Sequence, residues 1–124
     1  MIGKIYSSIT PYYDRAQNRN SFKKRPVLVI SGPRNNDYTV LPISTVSIQS
    51  NLDSEYDVKL DPTMYPQLNL NRISYVRTHK QTTVHKASLT TEISDFRNVY
   101  EDLYLTILEK LEKFNGEIMD SALR

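Results

Sequence analysis

"KKRPVLVIS", residues 23–31, decides the fold. Three cations run into a proline, and four apolar residues follow, Val27 to Ile30. Four is too few for a helix, and Pro26 and Gly32 bracket the run, so it reads as a buried β-strand. Pro26 biases Arg25 toward extended backbone, so the arginine is held at the strand mouth. Like charges in a row repel. Lys23, Lys24 and Arg25 therefore describe either a solvated loop beside a core strand or a place where something anionic sits.

Upstream, "GKIYSSI" is a first strand, and "TPYYDRAQNRNSFKK" between the two is a long polar loop. Downstream, "GPRNND" is a turn, and "YTVLPIST" is the next strand, with Pro42 placing an edge or an end there. "VSIQSNLDSE" is a second polar loop, and "YDVKL" alternates as a half-buried strand. "LNRISYVRTH" and "TTVHKASL" are two more strands, joined at Lys80–Gln81. The period then changes. Phe96, Val99, Tyr100, Leu103, Ile107, Leu111 and Phe114 recur at spacings of three and four, as on one helix face. Thr90, Thr91 and Ser94 offer N-caps, and Gly116 marks a stop. The expected architecture is mainly β with a C-terminal helix: a small antiparallel barrel over residues 1–115, closed by that helix, with 116–124 as a flexible tail.

A chain of 124 residues has room for one core. No apolar run reaches the roughly 20 residues that span a bilayer, and "MIGKIYSSIT" has no signal-peptide pattern. The absence of cysteine excludes disulfides and thiol catalysis and fits a cytoplasmic location. The net charge of +2 conceals an asymmetry. Residues 1–91 hold 12 Lys/Arg and 6 Asp/Glu, while residues 92–124 hold 4 and 8. Arg15, Arg19, Lys23, Lys24 and Arg25 face a single acid, Asp14, within residues 14–25. A basic cluster of that density points to a polyanion.

Several chemistries lack their residues. With three glycines there is no phosphate-cradling loop, and no G-x-S-x-G elbow occurs. No carboxylate pair has metal-ligand spacing. His79 and His85 are six apart on neighbouring strands, a spacing that admits an acid–base pair and equally two surface histidines. What remains is Arg25 with a hydroxyl cluster, Ser44, Thr45 and Ser47. If strands 25–31 and 38–45 pair antiparallel across their short turn, the mouth of one lies beside the end of the other, bringing Arg25 near Ser44. A guanidinium offers fixed donors to two phosphate oxygens, and a hydroxyl adds a third contact.

"GKIYSSITPYYD", "KKRPVLVIS" and "YTVLPIST", followed by "ISYVRTH" and the closing helix, resemble the MazF/PemK family of toxin endoribonucleases over about residues 2–114. The resemblance implies a small SH3-like barrel that dimerises and cuts single-stranded RNA without a metal or other cofactor. The RNA's own 2′-hydroxyl attacks, leaving a 2′,3′-cyclic phosphate and a 5′-hydroxyl. It further implies a cognate antitoxin protein as partner, and no membrane. The family's catalytic arginine carries over to Arg25 and its catalytic threonine to Ser44, with Thr45 the next hydroxyl. Arg15, Arg19, Lys23, Lys24, Tyr75 and Arg77 are the expected RNA-binding residues, and Tyr13 is a further stacking candidate. The chain departs from the family pattern in three places: serine at 44, "DRAQNRNSFKK" in place of a Gly–Ser–Glu–Gln-like run, and Tyr75 where glutamine is frequent. The competing expectation is a non-catalytic barrel, either a gyrase poison resembling CcdB or an RNA-binding module. Arg25 beside Ser44 favours the enzyme.

Overall fold

The computed structural model describes residues 1–124 except Ser47, and Tyr12 through its backbone only. Seven strands run β1 Ile5–Asp14, β2 Arg19–Arg34, β3 Asp37–Ser44, β4 Asp57–Leu60, β5 Ser74–Arg77, β6 Thr82–His85 and β7 Leu89–Ser94. Two helices follow, α1 Phe96–Val99 and α2 Glu101–Leu123. The sheet order is β4-β5-β3-β2-β1-β7, with β6 also on β3, and every pairing is antiparallel. The expected barrel is an open sheet. β4 and β7 form its two ends, and no ladder among the described residues joins them.

The apolar run of β2 is explained by burial on both faces. Leu28 packs into the main core with Ile5, Leu41, Ile43, Leu60 and Val76, and Tyr104 and Ile107 of α2 cover that face. Val27 and Val29 point the other way, into a smaller cluster with Tyr38 and Val40. Each such fully buried side chain contributes roughly 1.5–3 kcal/mol. The smaller cluster is roofed by a crossover. β6 pairs with β3, β7 pairs with β1, and the turn Lys86–Ser88 carries the chain between those two edges. Val84 and Leu89 pack on the cluster from either side of that turn.

Gly3 is required where the chain enters β1. Its φ is +83°, and a Cβ there would lie 2.8 Å from Arg97 Cβ. Its N–H donates to Val29 O at 2.8 Å, and its carbonyl accepts from Arg97 N at 2.9 Å, fixing the start of the first strand against the helix.

Four expectations are corrected. The polar segment 10–24 is not a loop. β1 and β2 continue their ladder through Pro11↔Phe22, Tyr13↔Asn20 and Asp14↔Arg19. They form a two-stranded arm, since β7 covers β1 only from Ile5 to Ser8 and β3 covers β2 only from Val27 onward. Asp14 Oδ1 closes the tip by accepting from Ala16 N at 3.0 Å and Gln17 N at 3.3 Å, with Asn18 at φ 53°. Pro11 is tolerated because β1 is an edge there. Pro42 does not end a strand at the sheet margin. β3 is central, and Pro42 falls between β6, which pairs Asp37 to Val40, and β5, which pairs Ile43 and Ser44.

Thr90 and Thr91 are not helix caps but residues of β7, where their β-branched side chains suit an edge strand. Gly116 does not stop the helix. α2 runs 23 residues, to Leu123, about 34 Å at 1.5 Å per residue. Nothing lies within 4 Å of a Cβ placed at Gly116, so it carries no packing demand. Its helical cost of about 1 kcal/mol is met by good formers after it, Glu117, Met119, Ala122 and Leu123. The residues expected as a tail, 116–124, are thus helical nearly to the end.

Candidate active site

β2 and β3 pair in the register Val27↔Pro42 and Leu28↔Leu41. Extending it by two residues sets Arg25 opposite Ser44, on the face that carries Val27. Directly opposed residues in an antiparallel ladder share a face. The rigid core segment Val27–Val29 anchors the arginine, and Ser44 is held from its other side by the Ser44↔Tyr75 pairing with β5.

Two cavities meet at this point. The first, about 650 Å³, is lined by Lys23, Lys24, Arg25 and Arg72 together with Ser44 and Thr45. Among the described residues no acidic side chain contributes to its wall. The second, about 390 Å³, lies on the far side of a shared wall made of Arg25, Pro26, Ile43 and Ser44. Arg25 and Ser44 border both cavities, whereas Thr45 reaches only the first. Arg25 is exposed and forms no ion pair with any described residue. An arginine without a carboxylate partner, beside a hydroxyl in an acid-free cationic hollow, is suited to an oxyanion. Ser47, the third hydroxyl of the cluster, lies outside the described residues.

The arm orders the remaining cations. Strand alternation sets Arg19, Ser21, Lys23 and Arg25 on one face and Asn20, Phe22 and Lys24 on the other. Arg19 and Lys23 therefore lead along the arm to Arg25, while Arg15 sits in the turn at the tip. Neither Arg15 nor Arg19 borders the cavities. Tyr13 is on the arm, with its hydroxyl bonded to Asn18 Oδ1. Tyr75 is half-buried beside Ser44 in the ladder but lines neither cavity.

Arg77 is elsewhere and engaged. Its Nε donates to Asp57 Oδ1 at 3.0 Å, and its Nη2 donates to Asp57 Oδ2 at 3.3 Å and to Asn51 O at 2.9 Å. The Asp57 side chain is 0% exposed, so Arg77 neutralises a buried carboxylate. His79 belongs to the same group, with Nδ1 3.7 Å from Asp57 Oδ1 and its ring edge-on to Phe114. His79 and His85 do not form an acid–base pair: His85 lines the second cavity instead, and its Nδ1 accepts from Ala87 N at 3.0 Å.

Arg72 of the first cavity escaped the sequence reading, and His85, weighed there only as a partner of His79, lines the second. Arg72 lies two residues before β5, the strand that pairs with Ser44, and so comes to the same cavity. His85 arrives through a crossover that no local pattern announces.

The described chain is thus an open antiparallel sheet backed by a C-terminal helix, with a cationic cleft at the β2–β3 mouth. The chain belongs to the PemK-like, MazF-like toxin family of type II toxin–antitoxin systems, whose model matches residues 9–114. Among solved structures it is similar to the Mycobacterium tuberculosis toxin MazF-mt6, at 20% identity and a TM-score of 0.63, covering 91% of this chain and 96% of that one. It is also similar to a second Mtb toxin known from a crystal structure, at 21% identity and a TM-score of 0.55, covering 73% of this chain and 91% of that one. These likenesses show the fold. No curated protein sequence matches the chain. Among the described residues no helix is long and apolar enough to cross a membrane.

Proposed function

We propose that this toxin is a metal-independent endoribonuclease that cuts single-stranded RNA, mRNA in particular, in the cytoplasm and so arrests growth. The observation that carries the reading is the meeting of Arg25 and Ser44 on the wall of an acid-free cationic cavity. In the proposed reaction the 2′-oxygen of one nucleotide bonds to the adjacent phosphorus, and the bond from phosphorus to the 5′-oxygen breaks. The 2′-hydroxyl loses a proton and the leaving 5′-oxygen gains one. The products are a 2′,3′-cyclic phosphate and a 5′-hydroxyl, and no water is consumed. Negative charge peaks on the non-bridging oxygens of the five-coordinate phosphorus, where preorganised donors act most strongly. Arg25 supplies the planar pair of donors, and Ser44 holds one non-bridging oxygen. Lys23, Lys24 and Arg72 draw in the RNA backbone, with the arm cations Arg19 and Arg15 extending that attraction outward.

Family membership supports an antitoxin partner and a dimer. An antitoxin segment that folds over the cationic cleft would exclude RNA from it. The reading is tested by incubating the purified toxin with total RNA in EDTA and sequencing the 5′-hydroxyl ends released. Cuts at a recurring short sequence are expected. Intact RNA under these conditions, with growth arrest retained in cells, would favour a non-catalytic poison.

A further inference from the structure

Ser8 is the last residue of β1 with a strand on both sides, and the arm begins after it. It pairs with Leu89 of β7 and, on its other side, directly with Arg25 of β2. It is 0% exposed, and its Oγ has no hydrogen-bond partner among the described residues. A buried hydroxyl that bonds to nothing costs folding free energy that alanine in the same place would not. The neighbouring groups do bond, Thr90 Oγ1 donating to Ser7 O at 3.1 Å. The register with β7 also shifts here. Ser7 lies opposite Thr91 and Ser8 opposite Leu89, which leaves Thr90 as an extra residue on β7. Such bulges re-aim side chains and recur beside active sites.

Ser8, Arg25 and Ser44 form one row across the sheet. Ser8 opposes Arg25 in the β1–β2 register, and Arg25 opposes Ser44 when the β2–β3 register is continued. Opposed residues of an antiparallel pair have Cβ atoms about 4.5–5.5 Å apart. Arg25 therefore has a hydroxyl on each side: Ser44 at the cavities, and Ser8, which lines neither of them. β3 pairs with β2 only from Val27 onward, so at Arg25 the backbone is held by β1 alone. The long side chain forms no ion pair that would fix its plane. We propose that Ser8 is a positioning residue for Arg25. When a phosphate binds, the Ser8 hydroxyl accepts a hydrogen bond from Arg25 Nε–H, and both Nη groups stay free for the phosphate oxygens. The proposal rests on the ribonuclease reading and adds a residue of β1 to its machinery. A guanidinium held in one plane is a preorganised pair of donors, which is what the transition state rewards.

The test follows Ser8→Ala through melting, RNA binding and single-turnover cleavage. Because the variant loses a hydroxyl that bonds to nothing, it should melt at or above the wild-type temperature. An RNA of the sequence best cleaved, with a 2′-deoxy nucleotide at the cut, should bind within about twofold of wild type, since charge attraction is untouched. Cleavage of saturated RNA should nevertheless fall at least about tenfold, the low end for a hydrogen bond to a charged group. In an Arg25→Lys background, which lacks the Nε–H, adding Ser8→Ala should cost less than about twofold further. In the complex with the 2′-deoxy RNA, the Arg25 Nε–H resonance should exchange slowly with solvent in wild type and fast in Ser8→Ala.

Cleavage by Ser8→Ala within about twofold of wild type, or an Nε–H exchange rate that the substitution leaves unmoved, overturns the assignment. So does an equal fractional loss in both backgrounds, or a loss matched by a fall in melting temperature, because Ser8 then acts on the fold and not through Arg25. If wild-type toxin cleaves no RNA at all, the ribonuclease reading itself has failed, and that outcome is visible before any variant is made. A cleaving wild type beside an unimpaired Ser8→Ala sinks Ser8 alone.

Discussion

Arg25 and Arg77 both lie on strands that pair with β3, and the structure gives them opposite surroundings. Arg77 ends β5, and its fork is filled by Asp57 and the Asn51 carbonyl. Arg25 stands at the mouth of the core segment of β2, with hydroxyls and cations around it and no carboxylate. An arginine's role is therefore set by what surrounds it in the fold. A buried acid makes it a structural counter-ion, and an acid-free hollow leaves its donors for a ligand.

Substitution at the two positions should give opposite phenotypes. Arg25→Lys keeps the charge and removes the planar fork. It should cost at least about 10²-fold in single-turnover cleavage, the scale of one lost preorganised donor, with the melting temperature nearly unchanged. Arg77→Ala should do the reverse. Leaving Asp57 buried without its partner should destabilise the fold by about 3–5 kcal/mol, while the molecules that remain folded cleave normally. A catalytic loss in the second variant without unfolding would erase the distinction.

The hydroxyls refine the same contrast. Ser44 borders both cavities and Thr45 only one, so Ser44→Ala should cost roughly tenfold or more in cleavage, below the loss at Arg25 because a neutral hydrogen bond is weaker than a charged one. Ser44→Thr should retain most activity and Thr45→Ala should cost little. If Thr45→Ala is the damaging change, the assignment has slipped by one residue. For the arm, Lys23→Ala with Lys24→Ala should weaken binding across RNA sequences. Its salt dependence should flatten by roughly 0.7 log unit for each phosphate that is no longer neutralised. The cleavage rate of saturated RNA should hold.

The smallest expected effect concerns acid. Asp53 accepts hydrogen bonds from Tyr56 N at 3.0 Å and Glu55 N at 2.9 Å. These, with Tyr56 the larger contribution, hold its carboxyl below the usual aspartate value. A depressed folded-state value gives stability that is present above the unfolded value, about 3.9, and is lost as pH falls through the folded one. Asp53→Asn should therefore melt with a slightly shallower dependence on pH below about 4.

How much of this was legible in the sequence follows from the range of the forces involved. The Arg25–Ser44 juxtaposition was readable because a short turn makes β2 and β3 partners, and an antiparallel ladder fixes what lies opposite. The face of α2 was readable from its period, which places Ile107 against the core, although the buried Tyr104 lies outside the expected series and Leu103 is only partly buried. The arm was not, because Pro11 and the polar run 14–21 carry every local sign of a loop while the ladder supplies the order. β7 was hidden because "LTTEIS" owes its pairing to Ile5–Ser8 at the far end of the chain. Arg77 was read as an RNA contact because its partner, Asp57, is 20 residues away in sequence and only the β4–β5 pairing brings them together.

In the proposed mechanism the RNA attacks itself at a phosphate held by Arg25. The most direct measurement pairs one cleavable RNA with a copy carrying a single 2′-deoxy nucleotide at the cut, both incubated with wild-type toxin in EDTA, with product ends read by mass. The first should give a 2′,3′-cyclic phosphate and a 5′-hydroxyl, and the second should bind equally well but stay whole. Cleavage of the deoxy copy, or 5′-phosphate ends from either, would contradict self-attack.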